Sequence, residues 1–201
     1  MTVHNDADLL EKNLPLFLNQ QCQKPVEVIV VDDASVDETP DVLKRLRSEY
    51  PNLYTTFIPV APPNPWRRRL ALTIGAKAAK GNWVVLTDIT CPPQSEKSLE
   101  ELTTVVDKGD SEVVMAFKSR KSDGCVRFKL WDNVDEAATV LRKTERRNGQ
   151  GHRGKWLKIR RGVYDAVAVP KVRINDALRY FDESLHGGRL MGIRLKTWLG
   201  L

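Results

Sequence analysis

Apolar and polar positions follow two alternating rhythms over the first 118 residues. VEVIVV at Val26–Val31 is nearly all apolar and β-branched, the composition of a strand covered on both faces, and it runs into Asp32 and Asp33. Thr39 then stands as a helix cap with Pro40 at the first helical position. Val42, Leu43, Leu46 and Tyr50 share one helical face, and Pro51 ends the run. Leu53–Val60 reads as a second strand, APPNPW at Ala61–Trp66 as a loop, and Leu70, Ile74 and Ala78 as the buried stripe of a helix ended by Gly81. NWVVLT at Asn82–Thr87 gives a third strand, which also meets an acid, Asp88, before the turn at Pro92 and Pro93. Leu99, Leu102, Val105 and Val106 mark another helix, and EVVMAF at Glu112–Phe117 a fourth strand.

Such alternation predicts an α/β fold: a right-handed βαβ series forming an open, mainly parallel sheet with helices on both faces. In such sheets ligands bind beyond the carboxyl ends of the strands, which is where both acidic strand ends fall. The second half is less regular. Trp131, Val134, Ala138 and Leu141 have helical spacing, Val163–Val169 reads as a strand, and a short helix surrounds Ala177.

Composition narrows the classes. The 201 residues are 41% apolar and 29% charged, which suits a single globular domain and excludes low-complexity and collagen-like chains. No apolar run approaches the ~20 residues that cross a bilayer, and no leader pattern opens the chain, so a soluble, unexported protein is expected. Cys22, Cys91 and Cys125 are too scattered for a disulfide framework and are expected to be reduced thiols. His4, His152 and His186 form no zinc pattern, so any metal should be oxygen-ligated. Between Arg142 and Arg161 lie nine basic residues and one acid, a local charge of +8 against +6 for the whole chain. The rest of the surface is therefore slightly acidic, which argues against nucleic acid as a partner and for a local anionic surface.

Asp32 and Asp33 admit two readings, since Asp-Asp-Ala-Ser is also a good turn and helix-entry sequence. No G-x-G-x-x-G or G-x-x-x-x-G-K-[ST] follows any strand. A nucleotide site here would have to use carboxylates.

Taken in order, VEVIVVDDASVDET (26–39), RRRLALTIGAKAAKGNWVVLTDITCPP (67–93) and VAVPKVRINDALRYFDESLHGG (167–188) resemble family 2 glycosyltransferases of the GT-A fold. The resemblance spans nearly the whole chain and implies one glycosyltransferase-like domain, 1–201. Its nucleotide-binding half is about 1–118 and its acceptor half about 119–201. The implied activity is inverting transfer of a sugar, of hexosyltransferase type, from a nucleotide-sugar, UDP-linked, to a saccharide or lipid-linked acceptor in cell-envelope or polysaccharide synthesis. In that family a strand precedes a Thr-x-Tyr-Asn segment, here Thr2-Val3-His4-Asn5, so the chain is expected to start just after the family's first strand.

The same resemblance assigns residues. Thr2 and His4 border the base, with His4 in place of the usual aromatic, and Asp33 accepts a hydrogen bond from the base imide. Arg67 and Arg69 lie where the family places a basic group near the nucleotide; a solvated helix start is the alternative. Asp88-Ile89-Thr90 stands for the D-x-D element, with Asp88 orienting the ribose or, with Thr90, holding Mg²⁺ or Mn²⁺. The family's general base sits in a Gly-Gly-Glu-Asp type element, which here reads Gly187-Gly188-Arg189-Leu190, so both carboxylates are missing. Asp182 and Glu183, just upstream, are the remaining candidates for that base. Two losses at once support an alternative: a catalytically silent binding or assembly module. For an active enzyme the basic Arg142–Arg161 segment would face an anionic membrane surface, placing the protein in the cytoplasm at the inner membrane face.

Overall fold

Three parallel strands carry the first acidic pair. In the computed structural model, which describes residues 1–60, 67–109, 111–118, 126–135, 137 and 166–181, β2 (Val28–Asp33) lies between β1 (Thr2–Val3) and β3 (Leu53–Ile58). Helices α1 (Ala7–Leu18) and α2 (Thr39–Glu49) turn Leu10, Leu14, Leu43 and Leu46 into a shared core with Val3, Val30 and Leu53. The expected parallel βαβ beginning is present. α1 was not foreseen: Pro15 lies inside it and reads as a helix breaker, although Leu10, Leu14 and Leu18 keep one buried stripe.

Thr39 is the first residue of α2 and not its cap. Asp37 performs the capping role, its Oδ1 accepting from the Thr39 backbone N–H at 3.0 Å. The fully buried Thr39 side chain instead ties α2 to α1, its Oγ1 accepting from the Asp6 N–H at 3.0 Å. Thr39→Val keeps the volume and leaves that N–H without its acceptor, so a loss of about 1–3 kcal/mol is expected. A lower urea midpoint at unchanged slope shows it, whereas an unchanged midpoint refutes the tie.

Helix α3 (Arg67–Ala78) leads into β4 (Trp83–Thr87) as the pattern predicts, but its buried face is different. Leu70 is 53% exposed, while Ala71, Leu72, Ala76 and Ala79 point inward. The reason is close packing on β2: a Cβ at Gly75 would stand 3.1 Å from Val31 Cγ2, so the contact face selects small side chains over the largest ones.

The remaining strands pair antiparallel, in the order β4-β7-β5-β6, with β5 at Val113–Lys118, β6 at Val126–Trp131 and β7 at Ala166–Pro170. Trp131, expected to start a helical stripe, is the last residue of β6 and pairs with Val113. Ala138 and Leu141 lie outside the described residues. Helix α4 (Ser98–Lys108) covers one sheet face through Leu99, Leu102, Val105 and Val106, as expected. The short helix around Ala177 is α5 (Ile174–Phe181), with Ile174, Ala177 and Leu178 buried.

Candidate functional site

The two acids at the end of β2 have separate tasks. Asp32 is buried, and its Oδ1 accepts from the Ser35 N–H at 3.0 Å and from the Ser35 hydroxyl at 2.6 Å. That closes a turn in which Ala34 takes φ +54°, a left-handed conformation costly for a side-chain-bearing residue. Asp33 instead turns outward and meets α3. Its Oδ1 accepts from Arg67 Nε at 2.8 Å and from Arg67 Nη2, whose guanidinium also donates to the Pro59 carbonyl at 3.2 Å. Both side chains are about one fifth exposed. Among the described residues no hydrogen bond reaches Asp33 Oδ2.

His4 stands beside this pair. Its Nδ1 lies 2.6 Å from the Asp33 carbonyl, which can only accept, so the ring proton sits on Nδ1 and Nε2 faces Asn5 Nδ2 at 3.4 Å. Around it the segments 4–7 and 33–39 interlock: Asn5 N–H donates to Ser35 Oγ at 2.9 Å, and Val36 N–H to Asn5 Oδ1 at 2.8 Å. Ala7 N–H donates to Asp37 Oδ2 at 3.3 Å. Burial opposes the charge on Asp37, but hydrogen bonds from Thr39 and Ala7 outweigh it and hold this carboxyl below the usual range. The result is a rigid rim presenting an exposed imidazole and a half-buried carboxylate. Thr2 is half-buried in β1, paired with Val31 of β2.

The turn after β4 is built the same way. Asp88 Oδ1 accepts from the Thr90 N–H at 2.9 Å and the Thr90 hydroxyl at 2.6 Å, and Asp88 is only 8% exposed. Asn13 of α1 fixes the turn from below, its Nδ2 donating to the Ile89 carbonyl at 2.9 Å. Sequence reasoning missed Asn13; the available signal was an amide on the buried stripe between Leu10 and Leu14.

Donor chemistry decides what this turn can hold. A hard divalent cation wants about six oxygens, and Asp88 and Thr90 bring one carboxylate, one oxygen of which already accepts two hydrogen bonds, and one hydroxyl. No group of three His, Cys, Asp or Glu residues that could hold a metal ion occurs among the described residues. The described residues therefore do not fit a protein-held cation.

Arg67 is thus brought to Asp33, while Arg69, two residues on, lies about 200° round the α3 axis from it. Asp182, Glu183, Arg189, Leu190 and the Arg142–Arg161 segment lie outside the described residues. No helix among the described residues is long and apolar enough to cross a membrane.

An uncharacterized glycosyltransferase of Mycoplasma genitalium is 29% identical over 86 residues, 42% of this chain and 29% of that protein. The solved mannosyltransferase PcManGT from Pyrobaculum calidifontis, in complex with GDP-Man and Mn²⁺, is 25% identical with a TM-score of 0.51, covering 60% of this chain and 35% of that one. The chain thus spans about a third of the length of either relative. The α/β arrangement is the GT-A fold of these transferases. The sequence matches the family described as "Glycosyl transferase family 2" over residues 1–172, and with that match the chain belongs to glycosyltransferase family 2.

Proposed function

We propose that this chain recognises a UDP-linked sugar donor at the ends of β2 and β4 and serves its transfer to a saccharide or lipid-linked acceptor. The observation carrying this reading is the Asp33 carboxylate: Arg67 holds one oxygen, and the other faces no donor among the described residues. A uracil imide supplies one N–H between two carbonyls, and a fixed carboxylate oxygen beside a positive guanidinium matches that edge. The exposed His4 ring offers a face for the base, and Thr2 borders it. In this reading Asp88, buried and oriented by Thr90, meets the ribose. In an inverting transfer a carboxylate takes the acceptor proton as its oxygen attacks the anomeric carbon, and Asp182 or Glu183 are the candidates for it.

Calorimetry with UDP, GDP and ADP tests the reading. UDP should bind and ADP should not, because adenine has no imide N–H. GDP is included because the mannosyltransferase relative binds GDP-Man. Equal binding of all three would remove base recognition from Asp33.

A second reading, a silent module that binds donor without turnover, is favoured by Thr90 and by Arg189-Leu190, where the family carries carboxylates.

For the acceptor side we infer that Arg142–Arg161 meets anionic headgroups. Binding to vesicles of anionic phospholipid should fall steeply with salt, each surface-proximal cation being worth about 1 kcal/mol. Changing Arg146, Arg147, Arg160 and Arg161 to Gln should abolish most of it. Salt-independent binding would take the membrane role away from this segment.

A further inference from the structure

The two sheets end in different kinds of edge. β6 closes the second sheet and carries Arg127 and Lys129, the kind of charge by which edge strands keep other strands away. β3 closes the first sheet, and among the described residues it pairs with β2 alone. Its residues Leu53, Tyr54, Thr55, Thr56, Phe57 and Ile58 favour extended backbone and include no charge, glycine or proline. The register against β2 advances one residue at a time, so no bulge turns this edge away. Phe57 is 72% exposed and Tyr54 47%. An open edge of this composition is a template for another strand.

Backbone parity decides which groups such a strand meets. The Val28 N–H donates to the Asn52 carbonyl at 2.9 Å, so Asn52, Tyr54, Thr56 and Ile58 turn their backbone groups toward β2. Leu53, Thr55 and Phe57 turn theirs to the open side. The Leu53 N–H already donates to the Tyr50 carbonyl at 3.1 Å. Among the described residues the open donors of this edge are therefore the Thr55 and Phe57 N–H groups, and the open acceptors are the Leu53, Thr55 and Phe57 carbonyls. Pro51 and Pro59 take the next outward positions, four residues before and after Thr55, and neither has an N–H to give. The edge is symmetric about Thr55.

We propose that β3 is a dimerisation edge, pairing antiparallel with β3 of a second copy of this chain about a two-fold axis at Thr55. The axis makes the two Thr55 residues a hydrogen-bonded pair that exchanges both bonds, and it sets each Phe57 N–H against the Leu53 carbonyl of the other copy. Every open N–H of the edge then finds an acceptor on an identical edge, the self-complementarity that a closed two-fold contact requires. Side chains agree, since Tyr54 comes opposite Thr56 and Phe57 opposite Leu53. Charge agrees as well: no charged residue lies between Asn52 and Pro59, so no like charges meet across the axis. An axis at Thr56 pairs the same donors but draws Pro59 into the ladder opposite Leu53, whereas the Thr55 axis keeps both prolines outside it. Antiparallel joining points the two β2 strands in opposite directions, so the two pairs of Asp33 and Arg67 open at opposite ends of the joint sheet. The pairing does not rest on the donor reading.

Sedimentation equilibrium tests it. One short ladder is small beside the ~1,600 Å² of a standard interface, so a dissociation constant on the order of 10–100 µM is expected. At about 500 µM the chain should approach twice its 22.8 kDa, and it should return to one copy on dilution. Thr55→Pro removes an N–H that no bond inside the single chain uses, and it should weaken the dimer about tenfold or more with the far-UV circular dichroism unchanged. Where proline disturbs the strand, charge gives a second handle. Thr55→Lys and Thr55→Glu each set like charges side by side across the axis and should be monomeric, and an equal mixture of the two should recover the dimer. Oxidation of Thr55→Cys should link two copies, because the paired Cα atoms lie ~5.5 Å apart, whereas Thr56→Cys, set diagonally at ~7–8 Å, should not link. Wild type under the same oxidation controls for Cys22, Cys91 and Cys125. A wild-type chain that stays monomeric at about 500 µM overturns the proposal. So does a dimer left unchanged by Thr55→Pro and by the separate Lys and Glu variants, since it would lie on another surface. Linking through Thr56→Cys in place of Thr55→Cys overturns the Thr55 axis.

Discussion

Asp33→Ala is expected to weaken UDP binding about 10- to 150-fold. A buried acceptor hydrogen-bonded in a charged pair is worth roughly 1.5–3 kcal/mol, and 1.36 kcal/mol is a decade. Half of the geometry for that bond exists without ligand, because Arg67 Nε and Nη2 both converge on Oδ1 and fix the carboxylate plane. The rest of Arg67 is engaged by the Pro59 carbonyl, so its contribution should run through Asp33. This separates two roles. If Arg67 orients Asp33, Arg67→Met weakens uridine and UDP by the same factor, and the double variant with Asp33→Ala is little worse than Asp33→Ala alone. If Arg67 grips the diphosphate, UDP suffers and uridine does not. Equal UDP affinity in wild type and Asp33→Ala would remove Asp33 from the site altogether.

What was legible in the sequence follows from how local each signal is. β2, β4 and α4 were readable because composition and period alone define them, and a buried parallel strand has no polar alternation to confuse it. α1 was hidden by Pro15, and the end of β6 by the helical spacing of Trp131 with Val134, at which a helical turn does begin. The antiparallel insertion of β7 between β4 and β5 has no local signature, since strand partners are chosen by packing across the sheet. At the site, a carboxylate at a strand end was visible as Asp33, and the turn-forming alternative proved true of its neighbour Asp32. The pairing of Asp33 with Arg67, 34 residues away, and of Asn13 with Ile89, 76 residues away, required the fold.

Turnover is the remaining large effect: sugar transfer by this chain should be slow, by about 10²–10⁴ relative to an enzyme with a placed base. That factor equals a loss of roughly 3–5 kcal/mol of transition-state stabilisation, before any contribution from the turn at Asp88. There the Thr90 hydroxyl donates to Asp88 where a second carboxylate would repel it and draw in a cation instead. Both defects act on the chemical step, and Asp33 acts on recognition of the base, so binding should survive where turnover fails. The decisive comparison sets wild type beside Thr90→Asp, Arg189→Glu with Leu190→Asp, and all three together, assayed by hydrolysis or transfer from UDP-sugars with and without Mn²⁺. Activity gained only by the triple variant, and only with Mn²⁺, makes the two missing elements the cause. Fast wild-type turnover that Asp182→Asn or Glu183→Gln abolishes would instead mean that the base has moved upstream, because a carboxylate serving as acceptor of the hydroxyl proton cannot be replaced by an amide of the same shape.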